Sequence, residues 1–94
     1  MALEKVGYTQ VTAATGSKLV KAGPGALFAL LFVGGTSSTV TVYDGTDTSG
    51  AILFAKGSVT LGDVVHFGGV GVTTNKGLFV VVSGTDATVN IAYT

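Results

Sequence analysis

Residues 26–33 read Ala-Leu-Phe-Ala-Leu-Leu-Phe-Val, and this apolar run decides the fold. Gly-Pro-Gly at 23–25 precedes the run and Gly-Gly at 34–35 follows it, so turn residues bound it on both sides. Because glycine interrupts every helical period along the chain, we expect the run to be a β-strand. One face of that strand would carry Phe28, Leu30 and Phe32, and the other the residues between them. A strand that is apolar on both faces lies inside a sandwich or meets a partner on one side.

Shorter runs of the same kind extend from this stretch to both ends of the chain. Val40 and Val42 alternate with threonine and tyrosine, which is typical of a half-buried strand. Further strands and short extended segments are also separated by turn residues: 9–15, 18–21, 51–56, 58–61, 63–67, 70–74, 78–83 and 87–93. About seven to nine short strands predict an all-β fold, a small antiparallel sandwich or barrel of jelly-roll type. We expect one domain over residues 1–94, with 1–15 as a candidate N-terminal arm.

The composition favours self-association. A chain of 94 residues buries only a marginal core, and small domains usually compensate with disulfides, a metal or a partner. Without cysteine and with a single histidine, disulfides and the common zinc sites are excluded. Because 47% of the residues are hydrophobic and only 11% are charged, we expect some apolar surface to meet another chain. Phe28, Leu30 and Phe32 are the candidate self-contact residues; the alternative is that they fill the sandwich while a crossing loop covers the opposite face.

Charge excludes two classes of partner. Five basic and five acidic residues give a formal charge of zero, so no basic stripe is available for nucleic acid or for an anionic membrane. The apolar run at 26–33 is far shorter than the ~20 residues that span a bilayer. Because the first ten residues are polar and mixed, they do not resemble a signal peptide, and we expect synthesis in the cytoplasm without export by the usual route.

The residues that chemistry requires are scarce. Asp63 and His66 would point to opposite faces of a strand, and no second histidine or cysteine is present for a nucleophile. Asp44 and Asp47 invite a comparison with calcium loops, but their spacing lacks the run of carboxylates that calcium sites use, and we favour turn formation. We therefore predict no catalytic residues, no metal and no cofactor. Among the aromatic residues, which are expected mainly in the core, Tyr8 is the best candidate for exposure.

A second class of function remains open at this stage. The polar connection from Asp44 to Gly50 is predicted to be an exposed hairpin loop. If the chain is a carbohydrate- or receptor-binding module, the candidate contact residues are on this loop: Asp44, Thr46, Asp47 and Thr48.

The order of four segments makes the chain resemble a known group of proteins. They are Lys-Ala-Gly-Pro-Gly-Ala-Leu at 21–27, Ser-Thr-Val-Thr-Val-Tyr-Asp-Gly-Thr at 38–46, Ser-Gly-Ala-Ile-Leu at 49–53, and Lys-Gly-Leu-Phe-Val-Val-Val-Ser-Gly-Thr at 76–85. Together with the strand from Ala87 to Tyr93, they resemble small virion proteins of tailed bacteriophages.

The resemblance implies a structural component of the virion, namely a capsid decoration (cement) protein on the capsid surface. Such a protein would form an oligomer, with a trimer favoured, and would bind the major capsid protein across neighbouring capsomers. The competing possibility is a carbohydrate- or receptor-binding module of a tail or fibre. The resemblance carries over no catalytic residue and no specific shell contact.

Overall fold

The fold consists of seven β-strands in a computed structural model that describes residues 7–60, 62–67 and 72–94. Every pairing between strands is antiparallel, so the predicted all-β antiparallel architecture is confirmed. The strands are β1 (Gly7–Thr12), β2 (Ser17–Ala22), β3 (Gly25–Asp44), β4 (Ala51–Val59), β5 (Val64–His66), β6 (Val72–Thr74) and β7 (Gly77–Tyr93).

The two long strands, β3 and β7, pair with each other along most of their length, and all seven strands form one continuous antiparallel sheet. Bends in β3 and β7 fold this sheet into two layers, which we call the first and the second sheet. In the first sheet, the C-terminal half of β7 lies between β1 and the N-terminal half of β3, and β5 and β6 pair with the far side of β3. In the second sheet, the N-terminal half of β7 lies between β2 and the C-terminal half of β3, and β4 forms the other edge. The inward side chains of both sheets form one hydrophobic cluster.

Glycines form the corners at which β3 and β7 pass from one sheet to the other. Gly35 and Gly84 have φ angles of +94° and +125°, which side chains rarely adopt. A Cβ on Gly35 would lie 2.7 Å from the Ser38 hydroxyl oxygen, and one on Gly84 would lie 2.8 Å from Ser38 Cα. The prediction of separate strands on either side of these glycines was therefore wrong, because they bend continuous strands instead of reversing the chain.

A β-bulge changes the predicted alternation of β3. Leu27 pairs with Tyr93 and Ala29 pairs with Ala92, so one extra residue is accommodated at Phe28. Leu27 and Leu30 are consequently both in the core, although strict alternation places them on opposite faces. The buried hydrophobic cluster is completed by residues from both sheets: Val11, Phe32, Val40, Val42, Val59, Leu78, Val80, Val82, Ala87, Val89 and Ile91.

The N-terminal part of the chain contributes an integral strand. β1 pairs with β7 from Gly7 to Thr12, and Val11 belongs to the core. The arm predicted over residues 1–15 therefore does not describe 7–12, and Met1 to Val6 lie outside the described residues. Residues 70 and 71 of the predicted strand at 70–74 also lie outside them, and Val72–Thr74 forms β6.

Candidate interaction surface on the first sheet

Two rows of side chains cross the outer face of the first sheet. The strand register places each residue beside the next on the neighbouring strand, in the order β1, β7, β3 and β5. Antiparallel neighbours directly opposite each other have their Cβ atoms about 4.5–5.5 Å apart, so each row is a continuous surface. The first row consists of Tyr8, Ala92, Ala29 and His66, and the second row, beside the first, consists of Gln10, Asn90, Leu31 and Val64.

These rows enclose a shallow concavity of about 420 Å³, which we call the outer groove. Tyr8, Val64 and Leu31 line it with 69%, 46% and 39% of their surfaces exposed. The small side chains of Ala29 and Ala92 lie between the larger ones and give the surface its concave shape. The full lining is Tyr8, Ala29, Leu31, Val64, His66, Asn90 and Ala92.

Three polar side chains at the outer groove, Tyr8, Asn90 and Gln10, are joined by hydrogen bonds. Asn90 Nδ2 donates a hydrogen bond to the Tyr8 hydroxyl oxygen at 3.1 Å, and Gln10 Nε2 donates one to Asn90 Oδ1 at 2.8 Å. Both ends of the Asn90 amide are thus engaged within the sheet, and the tyrosine ring is held in position. What the groove offers to a partner is mainly hydrocarbon.

The charged side chains that the structure describes lie outside the lining of the outer groove. Among the described residues, the lining of the outer groove contains no Asp, Glu, Lys or Arg. The edge strands of the second sheet do carry lysines, at Lys18 and Lys21 on β2 and Lys56 on β4. Lys18 Nζ donates a hydrogen bond to Thr9 Oγ1 at 2.7 Å, so this side chain bridges β2 and β1 on one side of the sandwich. Lysines on edge strands discourage edge-to-edge pairing with another chain.

The structure does not support Leu30 and Phe32 as a surface for self-contact. Their side chains are 0% and 1% exposed because the opposing sheet of the same chain covers them. Phe28 is half-buried at the bulge. The opposite face of the same strand, with Leu31 and Val33 at 39% and 37% exposure, is the one that remains accessible. The sequence of this strand is apolar on both faces, and only the packing of the second sheet determines which face is buried.

The loop between β3 and β4 uses its carboxylates internally. Asp44 Oδ1 accepts hydrogen bonds from the backbone N–H groups of Lys76 at 2.9 Å and Asn75 at 3.1 Å. The bond from Lys76 is the main cause that lowers the pKa of Asp44 below its ordinary value of 3.8. The side-chain hydroxyl and backbone N–H of Ser49 likewise lower the pKa of Asp47. These contacts give both aspartates turn-forming roles, while Thr46 and Thr48 are exposed at the loop tip.

Other arrangements in the described part of the chain offer little chemistry. No group of three or more His, Asp or Glu side chains within residues 7–60, 62–67 and 72–94 is placed to hold a metal ion. A second concavity of about 480 Å³ lies near the corner of β7 and contains one carboxylate, Asp86. Asp63 accepts a hydrogen bond from the backbone N–H of Thr60 at 2.9 Å. No helix in these ranges is long and apolar enough to cross a membrane.

Comparison with known proteins finds a shared fold but no shared family. No family model and no curated protein matches the chain. A solved structure of Bacillus endospore appendages, described as a novel family of disulfide-linked pili, is similar to it with a TM-score of 0.63 and 17% identity. The match covers 95% of this chain and 80% of that one, and at this identity it shows a shared fold alone. Because this chain has no cysteine, the disulfide linkage of that family has no counterpart here.

A weaker similarity involves the structure of infectious bursal disease virus, Gx strain. It has a TM-score of 0.31 and 14% identity, and it covers 96% of this chain but 32% of the viral one. A TM-score this low carries no argument about fold or function.

Proposed function

We propose that this chain is a non-enzymatic structural subunit that decorates the head of a tailed bacteriophage. In this role it binds the major capsid protein across neighbouring capsomers and stabilises the shell from its outer surface. The observation that carries the proposal is the outer groove, an exposed apolar face without Asp, Glu, Lys or Arg in its described lining, which suits a subunit that works by contact with other protein chains. The resemblance of segments 21–27, 38–46 and 76–85 to phage virion proteins supports the choice of assembly.

The mechanism is passive. Apolar surface that leaves water when the subunit docks stabilises the contact by about 25 cal/mol per Å². One such contact of modest area is weak, since association itself costs several kcal/mol. A shell presents the same site many times, and linked copies then dissociate far more slowly than one copy would. A small, neutral sandwich without catalytic groups is sufficient for this task.

The test uses purified phage heads that lack the protein. Added protein is expected to co-sediment with expanded heads in a fixed ratio to the major capsid protein, and to raise the temperature at which the heads release DNA. Immunogold labelling of intact virions is expected to decorate heads. Labelling confined to tails, or heads that neither bind the protein nor gain stability, would contradict the proposal.

The second candidate function is a carbohydrate- or receptor-binding module of a tail or fibre. It is favoured by the loop at 45–50, whose tip presents the hydroxyls of Thr46 and Thr48 on a backbone ordered by Asp44 and Asp47. A glycan array would show binding that is lost when Thr46 and Thr48 are replaced together by alanine. Absence of glycan binding by the unmodified protein would remove this candidate.

A further inference from the structure

We infer that the outer groove is the docking site for a second copy of this chain, so that two copies pair face to face with Tyr8 of each seated against Ala29 and Ala92 of the other. This inference deepens the proposed function by naming the surface that joins the copies. It rests on the proposed function only in the assumption that the chain is a subunit of a larger assembly. It does not depend on how the chain contacts the major capsid protein.

Shape is the first argument. Tyr8 is the most exposed of the large hydrophobic residues described, at 69%, and it stands at one end of the first row. The concavity next to it is lined by the small side chains Ala92 and Ala29. A face that carries both a projecting ring and a hollow beside it is complementary to itself. Two-fold symmetry places the ring of one copy opposite the hollow of the other, and the reverse, in a single interface.

Charge is the second argument. In a face-to-face dimer each patch meets its own copy, so a charged patch would oppose like charge, which destabilises association. The described lining of the outer groove has no Asp, Glu, Lys or Arg and is compatible with itself. A partner of other chemistry, such as a glycan, needs polar groups free to bond it. In the described lining the Asn90 amide is engaged by Tyr8 and Gln10, which leaves the imidazole of His66 as the main polar group that such a partner could use.

The area of the outer groove sets the affinity that we expect for the dimer. Four strands spaced about 4.8 Å apart and a few residues long present a face of roughly 300 Å². Two such faces bury roughly 600 Å² in total, below the ~1,200 Å² of stable interfaces, which places this one with weak and transient contacts. We therefore expect a dissociation constant between about 1 μM and 1 mM in solution. A repeating shell would hold copies at effective concentrations that strengthen such a contact.

The test is sedimentation equilibrium from about 1 μM to 1 mM, a range that covers the expected dissociation constants. The unmodified protein is expected to shift from monomer to dimer. Leu31→Glu, which places a charge in the groove, is expected to weaken the dimer at least 100-fold (about 2.7 kcal/mol). Ile52→Glu is the matched control, because Ile52 is an exposed apolar residue of β4 in the second sheet, and it should dimerise like the unmodified protein. Circular dichroism verifies the fold of both variants.

Three results would overturn the inference. A monomer at 1 mM would do so, as would a trimer, since a two-fold face-to-face contact closes at two copies. Dissociation by Ile52→Glu with no effect of Leu31→Glu would assign the contact to the β4 edge. These results can be distinguished from a failure of the proposed function. If phage heads bind the unmodified protein as a monomer but do not bind the Leu31→Glu variant, the decoration role stands and the outer groove is the surface that contacts the shell.

Discussion

Asn90 on β7 donates a hydrogen bond to the hydroxyl of Tyr8 on β1 at 3.1 Å, and this bond fixes the aromatic ring that projects from the first sheet. The two residues are separated by most of the chain in sequence, and the pairing of β1 with β7 brings them together. The bond also engages the Asn90 amide and the Tyr8 hydroxyl with each other at the surface of the outer groove. Tyr8 therefore presents its ring as a preordered hydrophobic contact, and the entropy lost by fixing it is lost in folding instead of in binding.

Two substitutions of Tyr8 distinguish the contribution of its ring to dimerisation from that of its hydroxyl. Tyr8→Phe removes only the bond to Asn90 and is expected to weaken dimerisation by no more than about 1 kcal/mol, roughly five-fold. Tyr8→Ala removes the ring and is expected to weaken it by about 2 kcal/mol or more. Isothermal dilution calorimetry on each variant measures the dissociation constants. Equal effects of the two changes would show that the ring itself contributes nothing.

The two faces of β3 are expected to respond in opposite ways to truncation. Phe32→Ala leaves a cavity in the core and should lower the free energy of unfolding by about 3–5 kcal/mol. Leu31→Ala on the exposed face should change it by less than about 1 kcal/mol. Urea denaturation followed by circular dichroism gives both values. By the same reasoning Phe32→Glu should unfold the chain and not merely dissociate it, because it buries an unpaired charge. A folded, stable Phe32→Glu protein would show that Phe32 is not in the core.

The sequence predicts the class of fold and the locations of most strands because alternation and turn residues are local properties. It does not reveal the bulge at Phe28, since one accommodated residue leaves no mark in an unbroken apolar run. The same run is apolar on both faces, so Leu30 and Leu31 look alike until the second sheet is placed over one of them. The outer groove is likewise invisible in sequence, because its residues come from four strands and meet only through the register. Tyr8 was predicted to be exposed, and its 69% exposure confirms that prediction.

Gly84 at the corner of β7 is expected to be intolerant of a side chain. Its φ of +125° is unfavourable for other residues, and a Cβ there would lie 2.8 Å from both Cα and Oγ of Ser38. Gly84→Ala should therefore destabilise the fold by about 1–3 kcal/mol or more, measured by thermal and urea unfolding. Gly57→Ala on β4 is the control, since the nearest atom to its Cβ would be Thr39 Oγ1 at an ordinary 3.8 Å. Similar losses at both sites would contradict the role assigned to the corner.

Asp44 connects the end of β3 to the turn before β7 and should make stability depend on pH. Hydrogen bonds from the backbone N–H groups of Lys76 and Asn75 lower the pKa of this carboxyl group below 3.8 in the folded protein. A lowered folded-state pKa means that the ionised form stabilises the fold fully above the unfolded pKa, and that this contribution is lost as the pH falls below about 4. The melting temperature of the unmodified protein should therefore decrease between pH 5 and pH 2.5.

Asp44→Asn should melt at a lower temperature than the unmodified protein at pH 7 and should lose less on acidification, because the ionisable group is gone. Asp47, whose pKa is lowered by Ser49, should account for part of the remaining dependence, so the double Asn variant should have the flattest profile. Asp86→Asn is the control, since Asp86 is exposed and lies outside this hydrogen-bonded turn. Melting profiles of Asp44→Asn and Asp86→Asn that coincide from pH 7 to pH 2.5 would show that the bonds to Lys76 and Asn75 do not stabilise the turn.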